Sequence, residues 1–147
     1  KNSDCGTIKH ENKNKVNILK LDDFINLPKC NFIKIDVELM EIDVLKGGEK
    51  LIKKFKPVLW LENHQSYPNN LNEYLLQKDY TPYWCATRLF NPDNFNLDNH
   101  NVFNNMTTLN TLAIHKSYEI DIDCVSMGIT KVTNKYTPVE VARTKVL

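Results

Sequence analysis

The chain has 147 residues, 41% of them hydrophobic and 25% charged, which suits one soluble globular core. A formal net charge of +1 supplies no global field that would draw nucleic acid or an anionic membrane, so any partner must be recognised at a local site. The longest apolar runs, such as PVLWL, fall far short of the roughly 18 residues that span a bilayer, and KNSDCGTIKH at the start has no apolar signal core; a cytoplasmic protein without membrane association is expected.

In chain order, KVNILKLDDFINL at 15 to 27 alternates apolar and polar up to Leu21, after which Asp22 or Asp23 is placed to cap a short helical turn that Pro28 ends. NFIKIDV has the length and β-branched content of a central strand. From Met40 the period changes: Val44, Leu45, Gly48, Leu51, Ile52 and Phe55 recur at helical spacing. Gly47 and Gly48 interrupt that face, so either two short helices meet there or the glycines permit close approach to the sheet. Pro57 stops the helix, and PVLWLEN at 57 to 63 reads as a second apolar strand. Strand, helix and strand over about thirty residues form a βαβ unit, which implies parallel pairing.

HQSYPNN is a loop, and Asn69 or Asn70 is expected to cap a helix presenting Leu71, Tyr74 and Leu75. TPYWCATRLF and TLNTLAIHK read as strands on either side of an asparagine-dense surface loop. Beyond Ser117 the periodicity fades. The chain starts at Lys1 without a clean element, which reads as a segment of a longer protein.

Cys5, Cys30, Cys85 and Cys124 have no CxxC or zinc-ligand spacing and are expected as reduced, packed thiols. Gly6, Gly47, Gly48 and Gly128 make neither a P-loop nor a G-x-G-x-x-G turn. His10, His100 and His115 lack partners at ligand spacing and read as surface or loop residues. Tyr83, Trp84, Arg88, Phe90 and Phe95 offer either a stacking wall for a sugar or adenine, or core packing. Asn105-Met106-Thr107 fits a glycosylation sequon with no other sign of secretion.

Chemistry is best placed at the carboxyl ends of the two strands, where open α/β sheets bind ligands. Alternation puts Lys34, Asp36 and Glu38 on one strand face, with the two carboxylates about 7 Å apart. The next strand ends in Glu62, Asn63 and His64. If the strands are neighbours, these groups converge on one crevice. Asp36 with Glu62 and Asn63 could hold a hard divalent cation through oxygen. One carboxylate could instead be a general base, or the group could hydrogen-bond a ligand's hydroxyls and ammonium. In the purely structural alternative Asp36 pairs with Lys34 and Glu38 caps the following helix.

KIDVELMEIDVLKGGEKLIKKFKPVLWLEN resembles the central motif of the FkbM family of S-adenosylmethionine-dependent methyltransferases, and LDDF, YLLQKDYTPYW and RLFNPDNF look like further family features. The resemblance covers roughly residues 15 to 116. It implies an α/β fold: a Rossmann-like class I methyltransferase sheet, mostly parallel with a reversed strand near the carboxyl end, of which this chain would be the carboxyl-terminal half. Residues 1–117 would then be methyltransferase domain and 118–147 an extension of uncertain structure. The implied activity is methyl transfer to an oxygen of a sugar or small-metabolite hydroxyl. By position, Lys34, Asp36, Glu38, Glu41, Leu45 and Gly47 match the motif, and Glu62 matches the acidic end of the next strand.

On this resemblance Asp36 and Glu38 are the catalytic candidates, Asp36 also touches the cofactor, and Glu62, Asn63 and His64 bind the acceptor. A magnesium ion on Asp36, Glu62 and Asn63 is a further option, by analogy with more distantly similar sugar O-methyltransferases. Two departures stand out. The family glycine after D-V-E is Leu39, whose side chain is expected to fill part of the ligand space, and the glycine-rich cofactor turn would lie upstream of Lys1. A methyltransferase-like remnant or binding module is therefore the second reading, and a metal-dependent hydrolase using the same carboxylates the third.

Overall fold

The computed structural model describes residues 17–63, 68–104, 106–120, 122–124 and 126–132. Its elements are a 3-10 turn, Leu21–Phe24, strand β1 (Phe32–Ile35), helices α1 (Glu41–Lys46) and α2 (Glu49–Phe55), strand β2 (Val58–Glu62), helix α3 (Pro68–Gln77), and strands β3 (Tyr80–Arg88), β4 (Thr107–His115) and β5 (Ile129–Lys131).

The expected βαβ unit is present. β1 and β2 pair in parallel, with Phe32 beside Val58 and Ile35 beside Leu61. The sheet order is β1-β2-β4-β3-β5. β4 runs antiparallel to both β2 and β3, and β5 antiparallel to β3. Among the described residues the sheet is mixed and only the β1–β2 ladder is parallel, which is consistent with a methyltransferase-like α/β fold. The cause is where the reversed strand sits. β1, β2 and β3 share one direction, but β4 enters between β2 and β3 and makes both of its ladders antiparallel. A reversed strand near the carboxyl end was expected, and β4 is such a strand.

Both faces of the sheet carry core. On one, Ile35, Leu59, Leu61, Ala113 and Tyr80 meet Leu45, Ile52, Leu71 and Leu75 from the three helices. Leu61 is fully buried and Leu59 nearly so; each such side chain contributes about 1.5–3 kcal/mol. On the other face Tyr83, Cys85, Leu112 and Ile129 pack with Trp60 and Cys124. Ile129, in the stretch where the periodicity fades, thus belongs to a sheet strand and to this core.

Gly47 and Gly48 do separate two short helices, and the close approach is made by a side chain rather than by the sheet. A Cβ at Gly48 would lie 2.8 Å from Leu21 Cβ. Because Gly48 occupies the N-cap of α2 and has no side chain to offer, the cap comes from elsewhere: Asp22 Oδ1 accepts the Leu51 backbone N–H at 2.9 Å. Asp22 was expected to cap its own turn; it caps a helix 29 residues away in sequence, while Asp23 Oδ2 accepts from Lys20 N at 2.8 Å. α3 begins at Pro68, so Asn69 and Asn70 lie inside the helix instead of capping it, and proline takes the first-turn position that needs no N–H.

Candidate functional site

β1 ends at Ile35, where burial is strongest, and Asp36 follows it. Glu62 closes β2. One step beyond the Ile35–Leu61 pair, these two acids occupy neighbouring positions at the carboxyl ends of adjacent parallel strands; the spacing between such strands is about 4.8 Å. Side-chain alternation sets Lys34, Trp60 and Glu62 on the face opposite Ile35 and Leu61. Lys34 Nζ lies 2.9 Å from Asp36 Oδ2, as the structural alternative expected. Both side chains are largely exposed, so the pair is weak and can open.

The strand does not continue to Glu38. Glu38 and Leu39 take left-handed backbone conformations, with φ of 50° and 74°. This corrects the expectation of Asp36 and Glu38 on one strand face: the chain turns away from the ladder before Glu38. The turn also gives the family glycine a physical meaning, since glycine adopts this conformation without steric cost and leucine does not. Leu39 is 54% exposed.

α1 has Met40 at its N-cap, and the Met40 side chain makes no cap bond. At this turn Glu41 Oε1 accepts the Val37 N–H at 3.3 Å, and the residue is buried. Glu41 matches the motif, yet the sequence offered no role for it. Its spacing of four from Val37 was the available signal.

Asn63 is 3% exposed and its amide is committed internally: Nδ2 donates to Thr111 Oγ1 at 2.8 Å and, more weakly, to Asn72 Oδ1 at 3.5 Å. Thr111 Oγ1 donates to Asn72 Oδ1 at 3.4 Å, and Asn63 N to Leu109 O at 3.0 Å. This network ties the end of β2 to β4 and α3. Glu62 stands in register with Asn110 of β4.

His64 lies outside the described residues, as do Cys5, His10 and Asn105. Among the described residues no three His, Cys, Asp or Glu side chains gather to hold a metal ion. Of the residues expected to hold a cation, Asp36 is paired with Lys34, and the Asn63 amide nitrogen donates to Thr111.

Tyr83 and Trp84 are core residues on opposite sheet faces, Arg88 is exposed at the strand end, and Phe95 is wholly exposed, so these side chains form no common stacking wall. Cys30, Cys85 and Cys124 are free thiols. No helix of the described residues is long and apolar enough to cross a membrane.

No curated protein and no solved structure matches this chain. The family model described as the methyltransferase FkbM domain matches residues 7–82, a span that contains the D-V-E turn, both parallel strands and the helices between them. With more than half of its length inside that match, and with the family's acidic strand ends side by side, the chain belongs to the FkbM methyltransferase family.

Proposed function

We propose that this protein is an S-adenosylmethionine-dependent O-methyltransferase acting on a hydroxyl of a sugar or another small metabolite. The observation that carries the reading is the adjacency of Asp36 and Glu62 at the carboxyl ends of the parallel pair, in a chain of the FkbM family. The acids present suit the donor's chemistry, because a sulfonium and an ammonium are cations and ribose offers hydroxyl donors. When bound, that cofactor supplies the methyl group.

The chain's own residues then have three tasks. Asp36 and Glu38 hold the acceptor hydroxyl in line and take its proton on a carboxylate oxygen; Asp36 also stands nearest the cofactor. Glu62 hydrogen-bonds the acceptor's other hydroxyls, and His64 is assigned to the same subsite. Asn63 acts through the buried network that fixes the end of β2. Positioning with a general base supplies most of the rate in such a transfer.

The test is transfer of labelled methyl from S-adenosylmethionine to a panel of sugars and small alcohols, with Asp36→Asn and Glu38→Gln as variants. Both should lose turnover while keeping the circular dichroism and melting behaviour of the parent; unchanged turnover in both would sink the assignment.

Leu39 favours one alternative. With a branched side chain at the turn where the family has glycine, the protein would be a binding module without turnover. Calorimetric titration separates the readings, because a module that has lost the cofactor gives no binding heat with S-adenosylmethionine.

A further inference from the structure

A cavity lies at the opposite end of β2 from Glu62, about 13 Å along the strand by its rise per residue. Its volume is about 530 Å³, within the range that holds small organic ligands. The floor is apolar, formed by Ile52, Leu59 and Leu75, and Tyr74, Tyr80 and His115 also line it.

Its charges are unbalanced. Two acids line it, and both are already matched: Glu49 Oε1 accepts from Lys78 Nζ at 2.7 Å and from the Tyr74 hydroxyl at 3.0 Å, and Asp79 pairs with Lys116 at 3.5 Å. Lys53 and Lys56 also line the cavity, and among the described residues neither has an ion-pair partner. Surplus positive charge over an apolar floor is the chemistry that receives an amphipathic anion.

Two features show that this end is built rather than incidental. His115 Nδ1 accepts the Ser117 backbone N–H at 3.0 Å, which leaves the proton of the neutral ring on Nε2 as a donor. The ring is steadied edge-on against Tyr80, centroids 5.2 Å apart, and the Tyr80 hydroxyl donates to Pro57 O at 2.9 Å. Lys56, meanwhile, is the C-cap of α2 and is held in the left-handed region, φ 49° and ψ 47°. Glycine or asparagine normally fills that conformation, so a lysine there carries backbone strain. The Lys56 ammonium is close enough that, after burial, it is the next cause holding the His115 pKa below its ordinary value.

We infer that this cavity binds a small organic anion, with a phosphate or carboxylate held by Lys56 and the His115 Nε2–H and a flat apolar body lying against Tyr74 and Ile52. The inference is independent of methyl transfer, since it uses none of the residues at the carboxyl ends of β1 and β2.

The experiment is titration of the purified protein with phenyl phosphate, benzoate and inorganic phosphate, followed through the His115 ring resonances and by calorimetry. Charged groups facing His115 are Lys56 from the end of α2, Asp79 from the turn before β3, and Lys116 beside it, so all runs are made at one pH above the ordinary histidine range. Saturable shifts with phenyl phosphate or benzoate, much weaker for inorganic phosphate, support the site; the stronger of the two identifies the anionic group. Lys56→Gly relieves the left-handed strain and so folds at least as well, yet should weaken binding about tenfold, as should His115→Gln. Arg88→Gln, at the far end of β3, should bind like the parent. Failure of both aromatic anions to shift His115 up to about 10 mM overturns the inference. Equal weakening by Lys56→Gly and Arg88→Gln, or equal binding of inorganic phosphate, does so as well.

Discussion

Lys34 Nζ and Asp36 Oδ2 stand 2.9 Å apart, two residues apart in sequence, at the point where β1 gives way to the turn that carries the family motif. Exposed pairs of this kind contribute about 0–1 kcal/mol, so Lys34→Ala should barely move a urea midpoint. Asp36→Asn should leave stability equally intact and lower kcat by about 10² or more, the usual weight of a general base. Equal losses of turnover in the two variants would mean that the ion pair, not the carboxylate, is what the site needs.

The two glycines should answer oppositely to alanine. Gly47 has right-handed backbone, and a Cβ there meets nothing nearer than 3.4 Å, so Gly47→Ala should stabilise by about 0.5 kcal/mol. Gly48→Ala drives a methyl into Leu21 and should cost about 1–3 kcal/mol. Asp22→Ala removes the cap that Gly48 cannot supply and should cost about 1 kcal/mol. Denaturant unfolding of the three variants checks the set.

At the turn, Leu39→Gly should raise the unfolding free energy by about 1 kcal/mol, the left-handed cost of leucine less the added freedom of the unfolded chain. Leu39→Ala shares the strain and should show no such gain. If Leu39 also obstructs a ligand, the glycine variant alone should gain heat on titration with S-adenosylmethionine.

Thr111→Val keeps volume but leaves the Asn63 amide without its 2.8 Å acceptor in a buried place, which should cost about 1–3 kcal/mol. Because the residues of this network sit on β2, α3 and β4, the same variant should loosen the end of β2, and hydrogen exchange at Asn63 N should rise with it.

Alkaline pH should destabilise the fold. Burial pushes the Tyr80 hydroxyl far above its ordinary 10, and burial with the Glu49 carboxylate pushes Tyr74 up to about 12. Above pH 10 the unfolded chain loses these protons while the folded one keeps them, so the stabilisation present below pH 10 fades as pH rises through the folded values. A Tyr80→Phe variant should lose part of this slope in unfolding curves taken between pH 9 and 11.

Residues 31 to 63 were readable because their periods are local: apolar alternation marked β1 and β2, and the three-and-four spacing marked the helices. The end of β1 was not, because Glu38 prolongs the polar alternation after the backbone has turned; only the glycine expected at Leu39 hinted at a left-handed step. The asparagines of the long loop were legible as turn-formers and behave so, with Asn91, Asn94 and Asn101 side chains accepting nearby N–H groups. The buried bonds joining Asn63 to Asn72 and Thr111 span sequence distances that no periodicity encodes. β5 is three residues long, too short for a pattern to emerge.

The insertion of β4 between β2 and β3 also sets an order of events. Leu59 waits for Ala113, about fifty residues later, before the exposed edge of β2 is sealed. Contacts of such reach slow the search for the native state, and an unsealed apolar edge is open to wrong pairing in the interval. During synthesis, then, the neighbouring acids at the strand ends gain a fixed setting only once residues 107 to 115 have left the ribosome.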